Sequence, residues 1–502
     1  MKAFLRSPAA TCVVALRLIS FRARDVRGEL VLLATLARHG SRAPNAIMNE
    51  LCPANEENLG SYHVPPGQLT EVGMKEARQL GEFIREVYVD ALGFLPSALG
   101  TGHDRSFSSS LRSDASARCL QSAQAMAQGL YPNGTGPPGF PNQPVPVQTQ
   151  PHKFDTLLAN ALGPCASRRE ADDEVFDMGR GQEMLTRGKS TIDIVTEACG
   201  VPLKDFQESY AKQREEDVHS EAASAVIGVK DLSDMFDFDD YQGLQSLSEI
   251  TNEVKRDVAD LAFQLLQERY YSTRQQVAYW SGDLPLELLN ELRVASERHR
   301  RGRKPDRLYL SYHGHRELLY GVAHQLGWHF GVPGMPRGLA TTTTAIPPGT
   351  AMFFELHQHS PEVEEEDPDD DYYVRTFTWT PRAGQQETVL DVCNTTEAGR
   401  GCPLSILSDD VTRRTIDVGL WEDICHFVPF DAAEATAQRE AYKEEGSDKS
   451  GSKAAQRNLG TIAYFLPTAF AATTLVVLLA VLAIKTKYLL GQRSVNSYEP
   501  VA

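Results

Sequence analysis

Nine consecutive residues, Glu29 to Ala37, read Glu-Leu-Val-Leu-Leu-Ala-Thr-Leu-Ala and lead directly into Arg38-His39-Gly40-Ser41-Arg42-Ala43-Pro44. An apolar run of strand length without polar alternation has no face to give to water. It suits a strand covered on both sides, as in a parallel sheet. The basic segment then falls just beyond the strand's carboxyl end, where open α/β sheets bind their ligands.

The rest of the chain extends this pattern. Pro53, Pro65 and Pro66 mark a loop, after which Thr70 caps a helix carrying Val72, Leu80, Phe83, Ile84 and Val87 at helical spacing. A short strand near 106–111 precedes a helix over about 113–129. Residues 307–311 read as a further strand and 316–326 as a further helix. Residues 155–290 are mostly polar helical sequence with acidic patches such as Asp237–Asp240, and read as a helical cap inserted beside the site. Two apolar strands, 351–357 and 372–378, flank the acidic run Glu362–Asp371, which reads as a solvated hairpin loop. The expected fold class is α/β: a mostly parallel central sheet flanked by helices, with a smaller helical cap.

The chain has 502 residues and a formal net charge of −17. That charge argues against nucleic acid as the main partner, because phosphate backbones attract basic surfaces. A local arginine cluster can still override it for a small phosphorylated substrate. A phosphate monoester carries up to two negative charges, and Arg38 and Arg42 can hold its nonbridging oxygens through charge-assisted bonds. The same cations disfavour a proton on His39, keeping the neutral imidazole that a nucleophile needs. Gly40 lets the backbone turn sharply and approach a ligand, and Pro44 stiffens the exit.

These seven residues resemble the RHGxRxP signature of the histidine acid phosphatases. Leu69-Thr70-Glu71-Val72-Gly73 is similar to that family's Leu-Thr-x-x-Gly helix start. Arg112-Ser113-Asp114 through Arg118-Cys119-Leu120-Gln121-Ser122-Ala123, then Gly129-Leu130-Tyr131-Pro132, resembles the segment carrying its third arginine. The likeness covers roughly residues 29–430. With the chain's ends included, it is greatest to the membrane-bound acid phosphatases of trypanosomatid parasites. The resemblance implies a phosphohistidine on His39, later cleaved by water, with Arg38, Arg42 and Arg118 on the phosphate. It implies no cofactor and no metal, since arginines stabilise the transition-state charge. It also implies a second phosphate-pocket histidine after a late strand. His315 lies eleven positions before Leu326-Gly327, matching the family's spacing, and His313 is the alternative.

The next position departs from the family. Arg316 stands where an aspartate is usual, and arginine cannot protonate a leaving alkoxide. Glu317 gives a His-x-Glu arrangement similar to the His-Ala-Glu variant of multiple inositol polyphosphate phosphatases, which makes Glu317 the expected proton donor. The plain alternative is a solvent-facing glutamate in a helix's first turn. His357 and His359 could join His313 and His315 around a metal, but no carboxylate or cysteine cluster stands at ligand spacing. Three readings follow: an acid phosphatase, a noncatalytic phosphate-binding membrane protein of the same fold, and an inositol polyphosphate phosphatase using Glu317.

Residues 461–484 are the longest apolar stretch and fit one transmembrane helix, after a polar stalk over 431–460. Lys485, Lys487 and Arg493 place the tail, 485–502, in the cytosol and the bulk in a lumen or outside the cell. Tyr498-Glu499-Pro500-Val501 has the Tyr-x-x-apolar form of adaptor-read sorting signals. The expected location is therefore an endosomal, lysosomal or surface membrane. The expected partners are a phosphomonoester, the bilayer and a sorting adaptor at Tyr498 and Val501. Residues 1–28 are expected to be a signal peptide or leader, and 29–430 the folded domain. Sequons at Asn133 and Asn394 fit a luminal domain. Among the eight cysteines, the resemblance implies Cys165–Cys425 and Cys393–Cys402. Cys52, Cys119 and Cys199 stay unassigned, with Cys119 expected to be buried on its helix.

Overall fold

The computed structural model describes residues 28–99, 108–158, 163–177, 179–202, 221–336, 344–359, 371–388, 390–393 and 401–427. The leader, the stalk, the apolar stretch 461–484, the tail with Tyr498 and Val501, Asn394, and the acidic run up to Asp370 lie outside these residues. Among the described residues no helix is long and apolar enough to cross a membrane.

The chain enters through β1 (Gly28–Arg38), then α1 (Met48–Leu51), α2 (Glu56–Ser61) and α3 (Glu71–Ile84). Thr70 does cap α3, its hydroxyl accepting from Gly73 N. Next come β2 (Ser109–Ser113), α4 (Ala117–Leu130) and the two-residue β3 (Val147–Gln148). An all-helical stretch follows: α5 (Ala166–Asp177), α6 (Arg180–Arg187), α7 (Lys189–Cys199), α8 (Glu221–Gln242) and α9 (Asn252–Tyr271), called the cap below, then α10 (Arg274–Ser281) and α11 (Leu284–Arg300), which pack on the sheet. The chain returns to the sheet through β4 (Tyr309–Gly314), α12 (Arg316–Leu326), β5 (Ala351–His359), β6 (Tyr372–Thr380), β7 (Gly384–Glu387) and β8 (Cys402–Pro403), before α13 (Leu404–Val418).

The strand order is β3-β2-β4-β1-β5-β6-β7, with β8 on β6. The sheet is mixed, which corrects the expectation of a mostly parallel one. β1, β2, β3 and β4 pair in parallel, whereas β5 runs antiparallel to β1, and β6, β7 and β8 continue antiparallel. The reason lies in the connections. Parallel pairs need a crossover, which α3, α4 and the helices between β3 and β4 supply, whereas β5, β6 and β7 follow one another as adjacent strands and so reverse at each step.

β1 is buried from Val31 to Arg38. Leu32, Ala34 and Leu36 face one core with α10, α11 and α12, while Leu33 and Ala37 face a second core with α3 and α4. Two covered faces explain the unbroken apolar run. A third core lies in the cap, where α1 packs with α6 to α9. Disulfides join Cys52 to Cys199, Cys165 to Cys425 and Cys393 to Cys402, and Cys119 is free and buried. Asn133 sits exposed in the turn after α4.

Candidate active site

β2, β4 and β1 are parallel neighbours that end level, with Ser113 opposite His313 and His313 opposite Ala37. The residues at and just beyond the strand ends therefore meet at one place: Asp114 after β2, His315 after β4, and Arg38 at the end of β1 with His39 after it.

His39 is almost fully buried. Its backbone is fixed on both sides, N–H to Gly314 O (3.1 Å) and C=O from Gly349 N (3.0 Å). Its Nδ1 lies 2.8 Å from Gly40 O. A carbonyl can only accept, so Nδ1 carries the proton and the neutral ring keeps its lone pair on Nε2. Burial, then Arg118, His315, Arg38 and Arg42, hold the imidazole pKa well below its ordinary value. The surroundings thus favour the neutral ring.

The loop after His39 is stitched to α3 and α4. Ser41 donates from N and Oγ to Glu76, Thr70 N donates to Ser41 O, and Gly40 N donates to Ser122 Oγ. A Cβ on Gly40 would lie 2.2 Å from Gly73 O, and one on Gly73 would lie 2.1 Å from Ser41 O. Gly40 is not in the left-handed φ range. Its role is close approach to the start of α3 rather than the sharp turn expected from sequence.

The arginines converge from three elements. Arg38 Nη1 donates to Ile346 O at 2.7 Å. Arg42 donates to Asn45 Oδ1 at 2.9 Å and stacks 4.9 Å over Phe238. Arg118 Nη2 lies 3.3 Å from His315 Nδ1. Arginine only donates, so this histidine nitrogen accepts, and Nε2–H donates to Asp114 Oδ1 at 3.1 Å. The His39 and His315 rings meet edge to face, 5.4 Å between centroids. Arg38, Arg118 and Arg316 each bury an Nε with no hydrogen-bond partner among the described residues.

His313, the alternative to His315, lies inside β4 with Nε2 2.9 Å from Ser311 Oγ, and burial lowers its pKa to about 4. His357 pairs with Glu355 and stacks on Tyr373. It stands six residues along β5 from Ala351, the partner of Ala37, or roughly 20 Å at strand rise. Among the described residues, the group spaced to hold a metal is Asp114, Cys119 and His315, whose atoms already contact one another.

Arg316 does not stand alone. Its guanidinium grips both oxygens of Asp234, on cap helix α8, at 2.7 and 3.2 Å. Arg42 Nη2 and Lys230 Nζ each lie 3.7 Å from the same carboxylate. Burial would raise the Asp234 pKa, but Arg316, Lys230 and Arg42 outweigh it and hold the carboxyl below the usual range. Glu317 behaves similarly. Burial acts upward, and Arg316, Lys230 and His315 bring its pKa down to about 2. One turn beyond Asp234, burial and the Asp234 charge push Asp237 up to about 7.

A cavity of about 570 Å³ opens beyond Arg38. Arg38, Lys230, Lys255, Arg256, Arg316 and Arg382 line it against Asp234, Asp237 and Asp240. Sequence reasoning assigns none of these cap residues a role. A signal existed: Asp231, Asp234 and Asp237 recur every three residues on one helix and so share a face.

Fold and site together define an α/β protein with a buried neutral histidine ringed by arginines. Residues 29–378 match the histidine phosphatase superfamily (branch 2), and the chain belongs to that family. It is 31% identical over 185 residues to testicular acid phosphatase from Homo sapiens, covering 36% of this chain and 41% of that protein. It is 33% identical over 183 residues to lysosomal acid phosphatase from Homo sapiens, covering 36% and 40%. The chain thus spans about two fifths of the length of these relatives. Among solved structures, the Hafnia alvei phytase in complex with tartrate matches with TM-score 0.56 at 18% identity, over 78% of this chain and 98% of that one. The Citrobacter braakii phytase matches with TM-score 0.55 at 18% identity, over 77% and 98%. At such identity the likeness is one of fold.

Proposed function

We propose that this chain is a membrane-anchored acid phosphatase that hydrolyses phosphate monoesters through a phosphohistidine on His39. The observation that carries this reading is the free Nε2 of a neutral His39 beside Arg38, Arg42 and Arg118. Nε2 attacks phosphorus, the N–P bond forms, and the ester P–O bond breaks as the alkoxide takes a proton from a donor, with Glu317 as the candidate. Water then attacks phosphorus and gives one proton back to that donor, the N–P bond breaks, and inorganic phosphate leaves with His39 neutral again. The arginines and His315 hold the nonbridging oxygens throughout. Residues 461–484 serve as the anchor, and Tyr498 and Val501 as the sorting signal. The lysosomal acid phosphatase relatives support an endosomal or lysosomal lumen. The test is phosphate release from 4-nitrophenyl phosphate across pH, with His39→Ala as control; full activity of that variant would end the reading.

The basic cavity favours a second reading, in which the substrate carries more than one phosphate. Six basic side chains against three carboxylates make it locally positive in a negative chain. Comparing kcat/KM for propyl phosphate and propane-1,3-diyl bisphosphate separates the two. Arg316, standing where an acid is usual, favours a third: phosphate binding without turnover, seen as retained phosphate affinity with no hydrolysis of either aryl or alkyl esters.

A further inference from the structure

The cap sends a carboxylate into the arginine cluster. Asp234 is almost fully buried, is gripped at both oxygens by Arg316, and lies 3.7 Å from Arg42 of the basic motif. A guanidinium fork holds a carboxylate and a phosphoryl group in the same way, through two parallel N–H···O bonds. We propose that Asp234 is an internal anion standing in for phosphate, and that an incoming phosphoryl group displaces it and takes Arg316 as a fourth arginine ligand. This deepens the phosphate-site reading above and rests on it.

Three further observations support the exchange. Arg38, Asp234 and Arg316 line the same cavity, so space adjoins the pair on the side of the motif arginines. The buried Nε of Arg316 has no hydrogen-bond partner among the described residues, which leaves it a donor to give. Lys230, also on α8, donates to Asp231 at 2.7 Å and lies 3.7 Å from Asp234, and its ammonium has further N–H groups for Asp234 after displacement. The carboxylate therefore need not be left buried and unpaired, an arrangement that would be strongly unfavourable. The exchange also gives Arg316 a purpose that a proton donor's position would otherwise deny it. It selects for charge, since a phosphoryl dianion offers these cations more than the monoanion it replaces, and a singly charged ester offers no such gain.

The test is calorimetric titration of inorganic phosphate into the full-length chain and two variants. Asp234→Asn is expected to tighten phosphate binding roughly tenfold, and Arg316→Gln to weaken it by a similar factor. An arginine that merely anchored the cap would give the other sign, because its loss would loosen Asp234 and leave phosphate binding unchanged or tighter. That result overturns the proposal, as does unchanged or weaker binding in Asp234→Asn. If Asp234→Asn fails to fold, the sign of Arg316→Gln decides alone. Failure of the phosphatase reading would show separately, as absent hydrolysis of 4-nitrophenyl phosphate by the wild type, because the titration needs no turnover.

Discussion

Asp114, just beyond β2, accepts a hydrogen bond from His315 Nε2 at 3.1 Å, and that bond decides which ring nitrogen faces Arg118. Its carboxyl also accepts from Ser116 N. Burial alone would raise its pKa, but the bonds from His315 and Ser116 hold it below the usual carboxylate range. Asp114→Asn is nearly isosteric, and its amide oxygen can still accept from Ser116 N and from Nε2–H, but the bond to His315 loses its charge. We expect kcat/KM for 4-nitrophenyl phosphate to fall roughly tenfold, the difference between a charge-assisted and a neutral hydrogen bond. A smaller effect on the melting temperature would show that the loss is one of chemistry.

Glu317 holds its carboxyl near pKa 2, so only a small protonated fraction exists in mild acid. An aryl leaving group hardly needs that proton, whereas an alkoxide does. The ratio of alkyl to aryl phosphate turnover should therefore climb as pH falls, by about tenfold per unit while the fraction stays small. Glu317→Gln should flatten that trend and lower alkyl turnover by about 10²–10⁴-fold, leaving aryl turnover far less changed. A ratio that does not vary with pH would remove Glu317 from the donor role.

Gly73 and Gly40 let the start of α3 and the loop after His39 touch at backbone distance. Alanine at Gly73 would set its Cβ 2.1 Å from Ser41 O, and backbone on both sides cannot yield cheaply. We expect Gly73→Ala to lose about 1–3 kcal/mol in a denaturant titration, as overpacking does. A shift of the loop by about 1 Å would cost on the order of 10²-fold in kcat/KM. Wild-type stability in this variant would mean the contact is looser than the geometry shows.

What was legible in the sequence had local causes. β1 could be read because both its faces are covered, so no polar residue interrupts it before Arg38. The helix from Arg316 to Leu326 matches expectation at both ends, because Gly327 stops it in the left-handed region. Strand direction was less legible, since an apolar strand carries no mark of its polarity. The antiparallel placement of β5 against β1 depends on a long connection after α12 rather than on either strand's residues. Asp234 was invisible for a related reason. An aspartate on a polar helix reads as solvated until its partner is known, and Arg316 lies 82 residues away. Only the fold brings the two together.

His313 gives the protein an acid liability that can be isolated. Its ring is buried in β4 beside Ser311, and burial lowers its pKa from 6.5 to about 4. The folded state thus binds fewer protons than the unfolded chain between those values. Its stability contribution is full above about pH 6.5 and declines as pH falls toward 4. Burial gives the same sign to His39, His315 and His324. Asp172 and Asp237, both raised to about 7, act oppositely and favour the fold as pH falls below that value. Glu76, Asp239, Asp283 and Glu287, which burial also raises, act in the same direction as those two carboxyls. His313→Gln cannot become charged, so relative to the wild type it should gain stability as pH falls from about 6.5 to 4, by up to roughly 1.4 kcal/mol per pH unit. That relative gain should appear even where the variant is less stable than the wild type at neutral pH. Denaturant titrations of both proteins across that pH range measure the difference, and parallel profiles would contradict a neutral buried His313.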